Sequence, residues 1–272
     1  MPREIQCNER PLVMGILNVT PDSFYDGGKY YDIENAIAHA LQMVEDGADI
    51  IDVGGESTRP FSELISVEDE LKRIIPVIEH IRTHSDIAIS IDTNKARVAR
   101  EAHLAGADIV NDISGFTFDS DMAAVVAELN MYAIIMHIKG IPKDMQQNPR
   151  YEDVVSEIKT FFVERMAFAK KHGVEEERII LDPGIGFGKR VEDNLRIIKQ
   201  LGDFKEFGRP ILIGTSMKSF IGQITDSPLQ ERVDGTLASI AISAWNGANI
   251  VRVHDVKKAK KVMLLTSAIM SS

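Results

Sequence analysis

Cysteine and tryptophan are nearly absent, one of each in 272 residues, and positive charge is in deficit. A single thiol, Cys7, cannot close an intramolecular disulfide and offers no metal-ligand spacing, so it reads as a plain reduced cysteine. Lys and Arg number 31 against 41 Asp and Glu, a formal net charge of −10. That balance argues against a general nucleic-acid or anionic-membrane binder, although a local basic site can still hold an anion. No apolar run reaches the roughly 18 residues that span a bilayer, and the opening MPREIQCNERP lacks the apolar stretch of a signal peptide. The expectation is a cytoplasmic protein with no nucleic-acid or membrane partner. Glycine and proline are scattered rather than clustered, and no linker or low-complexity segment stands out, so one domain over residues 1–272 is expected.

What is present is an alternation of short apolar runs with longer amphipathic ones, the pattern of repeated βα units and a parallel sheet. Strands are predicted over 12–17, 48–53, 87–91, 107–111, 132–137, 178–182, 210–215 and 248–253. Helical stretches lie between them, for example 33–47, 67–84, 94–106 and 151–173. Gly47, Gly106, Gly173 and Gly247 stand where a helix must stop and reverse, in near copies of one hinge, DGADI, AGADI and NGANI. Strands rich in Val and Ile, buried on both faces and each followed by a helix, close most naturally into an α/β fold of the (β/α)8 TIM-barrel type. An open doubly wound sheet is the alternative.

In such a barrel the site lies at the carboxyl ends of the strands. Those ends here carry Asn18, the GGESTRP loop with Thr58 and Arg59, Asp92, Asn111, Met136 with His137, Asp182, Lys218, and Arg252 with His254. Asp or Asn just after a strand can be merely the N-cap of the next helix, but capping does not account for Lys218, Arg252 and His254 on the same face. Two carboxylates and a carboxamide suit a ligand with several N–H donors, and Lys218 would complement its carbonyl. Arg252, His254 and Asn18 could hold a phosphate or pyrophosphate, with a magnesium ion that keeps most of its waters. GIGFGK (184–189) fits neither common nucleotide-binding spacing and reads as a tight turn. His80 and His84 could ligate a metal, but no third ligand is near in sequence and a solvated helix end is the simpler reading. The runs 175–177 and 257–261 read as solvated helix faces.

Taken together, MGILNVTPDSF, GGESTRP, SIDT, NDIS, MH, ILDPGIGFGK, GTSMKSFIG and RVHDV resemble the dihydropteroate synthases, colinearly from Met14 to Val256. The resemblance implies a transferase of folate biosynthesis. It would join 4-aminobenzoate to 6-hydroxymethyl-7,8-dihydropterin diphosphate, giving 7,8-dihydropteroate and pyrophosphate, with sulfonamides competing for the aminobenzoate position. It further implies pterin contacts from Asp92, Asn111, Met136, Asp182 and Lys218, and diphosphate contacts from Asn18, Arg252 and His254. Mg2+ would be bound through Asn18. Thr58, Arg59, Pro60, Phe187 and Ser219 would frame the aminobenzoate, Asp22, Arg59 and Lys218 would act in catalysis, and the chain would form a homodimer. Loops around 22–24 and 57–60 would close over the site. The family usually has Arg where this chain has Met217, and commonly Gly where it has Phe61. A thioether cannot replace a guanidinium fork, so Met217 is expected to lower efficiency without abolishing it. Two alternatives share the strand-end pattern: a methyltetrahydrofolate corrinoid methyltransferase, which needs no diphosphate site, and a pterin-binding paralogue without turnover.

Overall fold

The computed structural model describes residues 5, 7, 10–19, 29–57 and 65–272. Its strands are β1 (Leu12–Asn18), β2 (Ile50–Gly54), β3 (Ala88–Asp92), β4 (Ile109–Asp112), β5 (Tyr132–Met136), β6 (Ile179–Asp182), β7 (Leu212–Ile213) and β8 (Ile250–Val253). The helices are α1 (Lys29–Glu45), α2 (Val67–His84), α3 (Ala96–Ala105), α4 (Met122–Glu128), α5 (Val154–Lys171), α6 (Val191–Lys199), α7 (Ser219–Thr225), α8 (Val233–Trp245) and α9 (Val256–Met270). All ladders are parallel, in the order β6-β5-β4-β3-β2-β1-β8-β7, and a bridge between Leu181 and Ile211 brings the ends together into a nearly closed (β/α)8 barrel. The open-sheet alternative is thereby excluded.

All eight predicted strands form, but β7 is shorter than the predicted 210–215. Pro210 has no N–H to give, and the Ile211 amide donates to the Asn249 side chain (2.9 Å) rather than to a ladder partner. Gly47, Gly106, Gly173 and Gly247 hold φ of 92°, 122°, 90° and 114°, the reversals their positions require.

The strands are buried on both faces, and successive side chains alternate between the inside of the barrel and the helices outside it. Inside the barrel Met14, Ile50, Ile109, Ile134, Ile180, Leu212 and Ile250 form an apolar plug with Cys7, whose thiol burial pushes up to about 11. Outward residues such as Ile51, Val53, Ile89 and Val110 pack beneath the helices. Because the plug fills the amino-terminal half of the barrel, polar side chains on inward strand positions are confined to the carboxyl-terminal mouth. Away from it, His80 and His84 stack at 4.3 Å on the exposed end of α2. Lys260 departs from its solvated-face reading: its ammonium pairs with Asp49 at 3.1 Å. Among the described residues no helix is long and apolar enough to cross a membrane.

Candidate active site

One row of register partners crosses four strands at the mouth: Asn18, Gly54, Asp92 and Asn111. One step deeper, Asp52 pairs with Ser90. Arg252 on β8 donates from Nε to Asp52 and from Nη2 to Asp92, both at 2.6 Å, and Asn111 Nδ2 donates to the same Asp52 oxygen at 3.0 Å. The other oxygens, Asp52 Oδ1 and Asp92 Oδ1, and the Ser90 hydroxyl are buried with no hydrogen-bond partner. Asp182 follows the end of β5 around the ring and accepts the Gly184 amide at 2.7 Å. Burial pushes Asp92 up to about 7 and Asp182 up to about 6, although Arg252 pulls both down.

None of these residues caps a helix. The first amide of α3, on Ala96, donates to Asp119, and the Arg190 amide before α6 donates to Asp193. Asp112, next to Asn111, faces the other way and binds the Ser114 and Phe116 amides, holding the turn after β4.

An apolar wall stands beside the carboxylates: Met136, Ile113, Met145 and Phe187 pack together, and the Lys218 ammonium lies 4.2 Å from the centre of the Phe187 ring. Burial and the Arg252 charge bring Lys218 down to about 8. Ser219, the first residue of α7, is exposed. GIGFGK is a tight turn as expected, with Gly184, Gly186 and Gly188 at φ of 70°, 79° and 64°, while Ile185, Phe187 and Lys189 between and after them are buried. A Cβ on Gly184 would lie 2.0 Å from the His137 carbonyl oxygen, so only glycine lets the two loops touch there.

At the β1–β8 side, the Asn18 carboxamide is half-buried and makes no hydrogen bond to a described residue, while His254 is exposed with Nδ1 2.9 Å from the Ser216 hydroxyl. Met217 holds φ of 59°; its amide donates to Thr236 Oγ1 at 3.0 Å and its sulfur lies 3.9 Å from the same hydroxyl on α8. Asp22, Thr58, Arg59 and Pro60, together with Phe24 and Phe61, lie outside the described residues. The chain on either side of 58–64 is held by a buried ion cluster: Lys95 Nζ donates to Glu56 (2.9 Å), Glu70 (2.6 Å) and the Ile65 carbonyl (3.0 Å), and Glu56 accepts the Ile65 amide (2.9 Å).

Comparison with known proteins bears on this arrangement. The family model described as pterin binding enzyme matches residues 14–254. The dihydropteroate synthase of Synechocystis sp. is 49% identical over 262 residues, covering 96% of this chain and 91% of the relative. The chain belongs to the dihydropteroate synthase family. Among solved members, the Yersinia pestis enzyme in a sulfonamide complex superposes with a TM-score of 0.94 at 39% identity, covering 100% of this chain and 99% of that one. The Xanthomonas albilineans enzyme in complex with 7,8-dihydropteroate gives 0.90 at 38% identity, covering 98% and 96%.

Two members of this site escape a strand-end reading. Asp52 lies two residues before the end of β2, inside a run that reads as buried strand; its signal is an acid on the inward face between Ile50 and Gly54. Lys189 ends the glycine turn and looks like a solvated flank, yet it is buried.

Proposed function

We propose that this chain carries out the dihydropteroate synthase reaction with the residues of the barrel mouth in the roles that follow. The reaction joins 4-aminobenzoate to 6-hydroxymethyl-7,8-dihydropterin diphosphate, giving 7,8-dihydropteroate and pyrophosphate, a transferase step of folate biosynthesis. The observation that carries the reading is the pair of buried carboxylate oxygens without partners, Asp52 Oδ1 and Asp92 Oδ1. A buried acceptor left unpaired costs about 1–3 kcal/mol, and the amino and ring N–H donors of a pterin would recover that. Asp92, Asn111 and Asp182 hold the pterin edge, Met136 packs against it, and Lys218 donates to its carbonyl.

Asn18, Arg252 and His254 face the diphosphate, Arg252 through the Nη1 edge that its bonds to Asp52 and Asp92 leave over. Thr58, Arg59, Pro60, Phe187 and Ser219 frame the aminobenzoate, and Asp22, Arg59 and Lys218 serve catalysis. Neutral aminobenzoate is already a nucleophile, so no strong general base is needed. The barrier lies in the departing diphosphate, and the cations around it lower that barrier by stabilising charge that develops as the C–O bond breaks. The electron-rich pterin supports a cationic methylene, so the substitution is dissociative. Among the described residues no group of His, Cys, Asp and Glu forms a closed metal site. The Asn18 amide oxygen, which has no hydrogen-bond partner among the described residues, fits a magnesium ion that arrives with the diphosphate and keeps its waters, and such an ion would neutralise leaving-group charge.

The reading extends to one catalytic domain over residues 1–272, residence in the cytoplasm, and a homodimer. Support for the dimer is the exposed apolar face of α8 and α9, with Ile242, Trp245, Leu265 and Ile269.

Pyrophosphate release by the purified protein with dihydropterin diphosphate and magnesium, measured with and without 4-aminobenzoate, tests the reaction. Release that requires aminobenzoate and yields dihydropteroate is the expected outcome. Pterin binding without turnover would instead identify a binding protein.

A further inference from the structure

Lys189 is a lysine with almost no exposed surface, and burying an ammonium costs several kcal/mol unless each of its hydrogens is received. Here all three are: Nζ lies 3.0 Å from His137 Nδ1, 3.2 Å from the His137 carbonyl and 3.0 Å from the Phe187 carbonyl. The first two acceptors belong to the loop after β5 and the third to the loop after β6, so one side chain ties two loops of the mouth together. Burial and the neighbouring Lys189 hold His137 well below the usual histidine range, so its imidazole is neutral, and with Lys189 as the donor its proton stands on Nε2. Its ring packs edge-on against Phe161 at 5.0 Å.

Around this tie the turn is also held by Gln146, whose side-chain amide donates to the Gly186 carbonyl, and the Phe187 ring packs on Ile113, Met136 and Met145. The Gly186 amide donates to Asn194 (2.8 Å) and the Phe187 amide to Gly184 (3.1 Å), while the Gly188 carbonyl accepts from Tyr151 (2.7 Å). The Phe187 carbonyl has Lys189 as its donor, and the Phe187 ring in turn carries Lys218 on its face. An apolar residue at 189 would fill the space without orienting anything. We propose that Lys189 is a positioning residue for aminobenzoate: by joining the loops after β5 and β6 it sets where the Phe187 ring stands against Lys218. The proposal rests on the reading of Phe187 as part of the aminobenzoate wall. Lys189 touches neither substrate and acts through Phe187.

Steady-state kinetics and pterin binding of Lys189→Met and Lys189→Gln test it, with Phe187→Ala alongside. The expected result is a KM for 4-aminobenzoate raised about tenfold or more, with kcat at saturation changed less than threefold and the Kd for dihydropterin diphosphate within twofold. A purely structural lysine would instead lower the melting temperature and leave the aminobenzoate KM within twofold, which overturns the proposal. If Lys189→Met does not fold, Lys189→Gln, which keeps two donors, is judged by the same numbers; failure of both to fold also overturns it. Phe187→Ala separates the two readings. An unchanged aminobenzoate KM in that variant removes Phe187 from the substrate wall, whereas a raised KM there with none in the Lys189 variants removes only the role of Lys189.

Discussion

If Asp92 and Asp182 hold the pterin as proposed, their ionisation is tied to its binding. Both stand above the usual carboxylate range, at about 7 and about 6, chiefly through burial. With folded values raised, these groups stabilise the ligand-free protein most at low pH, and that stability is lost as pH rises through 6 to 7. N–H donors from a pterin favour the ionised form and lower both values, so binding at acidic pH must expel protons. Calorimetry with 6-hydroxymethylpterin, which has no diphosphate to titrate, in two buffers of different ionisation enthalpy should register about one proton released at pH 6 and almost none at pH 8.5, with affinity falling up to about tenfold per pH unit below 7. Identical heats in the two buffers at pH 6 would remove the carboxylates from the pterin site. Met217 belongs to the same scale. Its thioether sits on Thr236 at the position where the resemblance read from the sequence implies Arg, and an exposed charge pair is worth about 0.2–1 kcal/mol. Met217→Arg is therefore expected to raise kcat/KM roughly two- to fivefold; no change in kcat or in either KM would show that the thioether costs nothing.

Strand ends and glycine hinges are the elements most legible in the sequence, because each answers to one local constraint. The loop after β6 shows how strict that constraint is. Gly184 has φ of 70° and a Cβ there would meet the His137 carbonyl oxygen at 2.0 Å, whereas Gly208, at φ of 61°, has nothing within 4 Å of such a Cβ. Gly208→Ala should cost only left-handed strain, about 1–2 kcal/mol. Gly184→Ala adds a backbone clash and should cost about 3–5 kcal/mol; urea unfolding of the two variants measures the difference, and equal costs would mean that the loops are free to part. Other features depend on neighbours that no local pattern reports. Asp52 looks like part of a buried strand until Arg252 and Asn111, distant in sequence, are brought to it. β7 shortens because Asn249 competes for the Ile211 amide, and Lys189 is buried only because the loop after β5 folds over it. The strand-end positions of Asp92, Asn111 and Asp182 were legible because each polar residue ends an apolar run, and none of the three caps the helix that follows; their part in binding belongs to the proposed function.

For the whole molecule, the mouth and the apolar face of α8 and α9 are separate problems. A formal charge of −10 repels an anionic diphosphate at long range, but at physiological salt that field fades within about 8 Å, so in the proposed function the diphosphate is held by cations at contact distance and not by the field of the whole chain. Solvent exposure of Trp245 at 60% and Leu265 at 65%, with Ile242 three residues before the one and Ile269 four after the other, sets two apolar stripes on adjacent helices. A stable interface needs about 800 Å² from each partner, and a second copy of this face supplies a like surface with no charge to desolvate at those four positions. Trp245→Glu with Leu265→Glu would place unpaired carboxylates in such an interface at a cost of several kcal/mol. Sedimentation velocity should then show twice the chain mass for the parent and a single chain for the variant at micromolar concentration. Because Asp52, Asp92, Asn111, Asp182, Lys218 and Arg252 all come from one barrel, the monomeric variant should keep its pterin affinity within about twofold, a difference of less than about 0.5 kcal/mol. A parent that sediments as a single chain would leave the apolar face without the proposed occupant, and a variant that loses pterin binding along with its partner would mean that the second subunit braces the mouth.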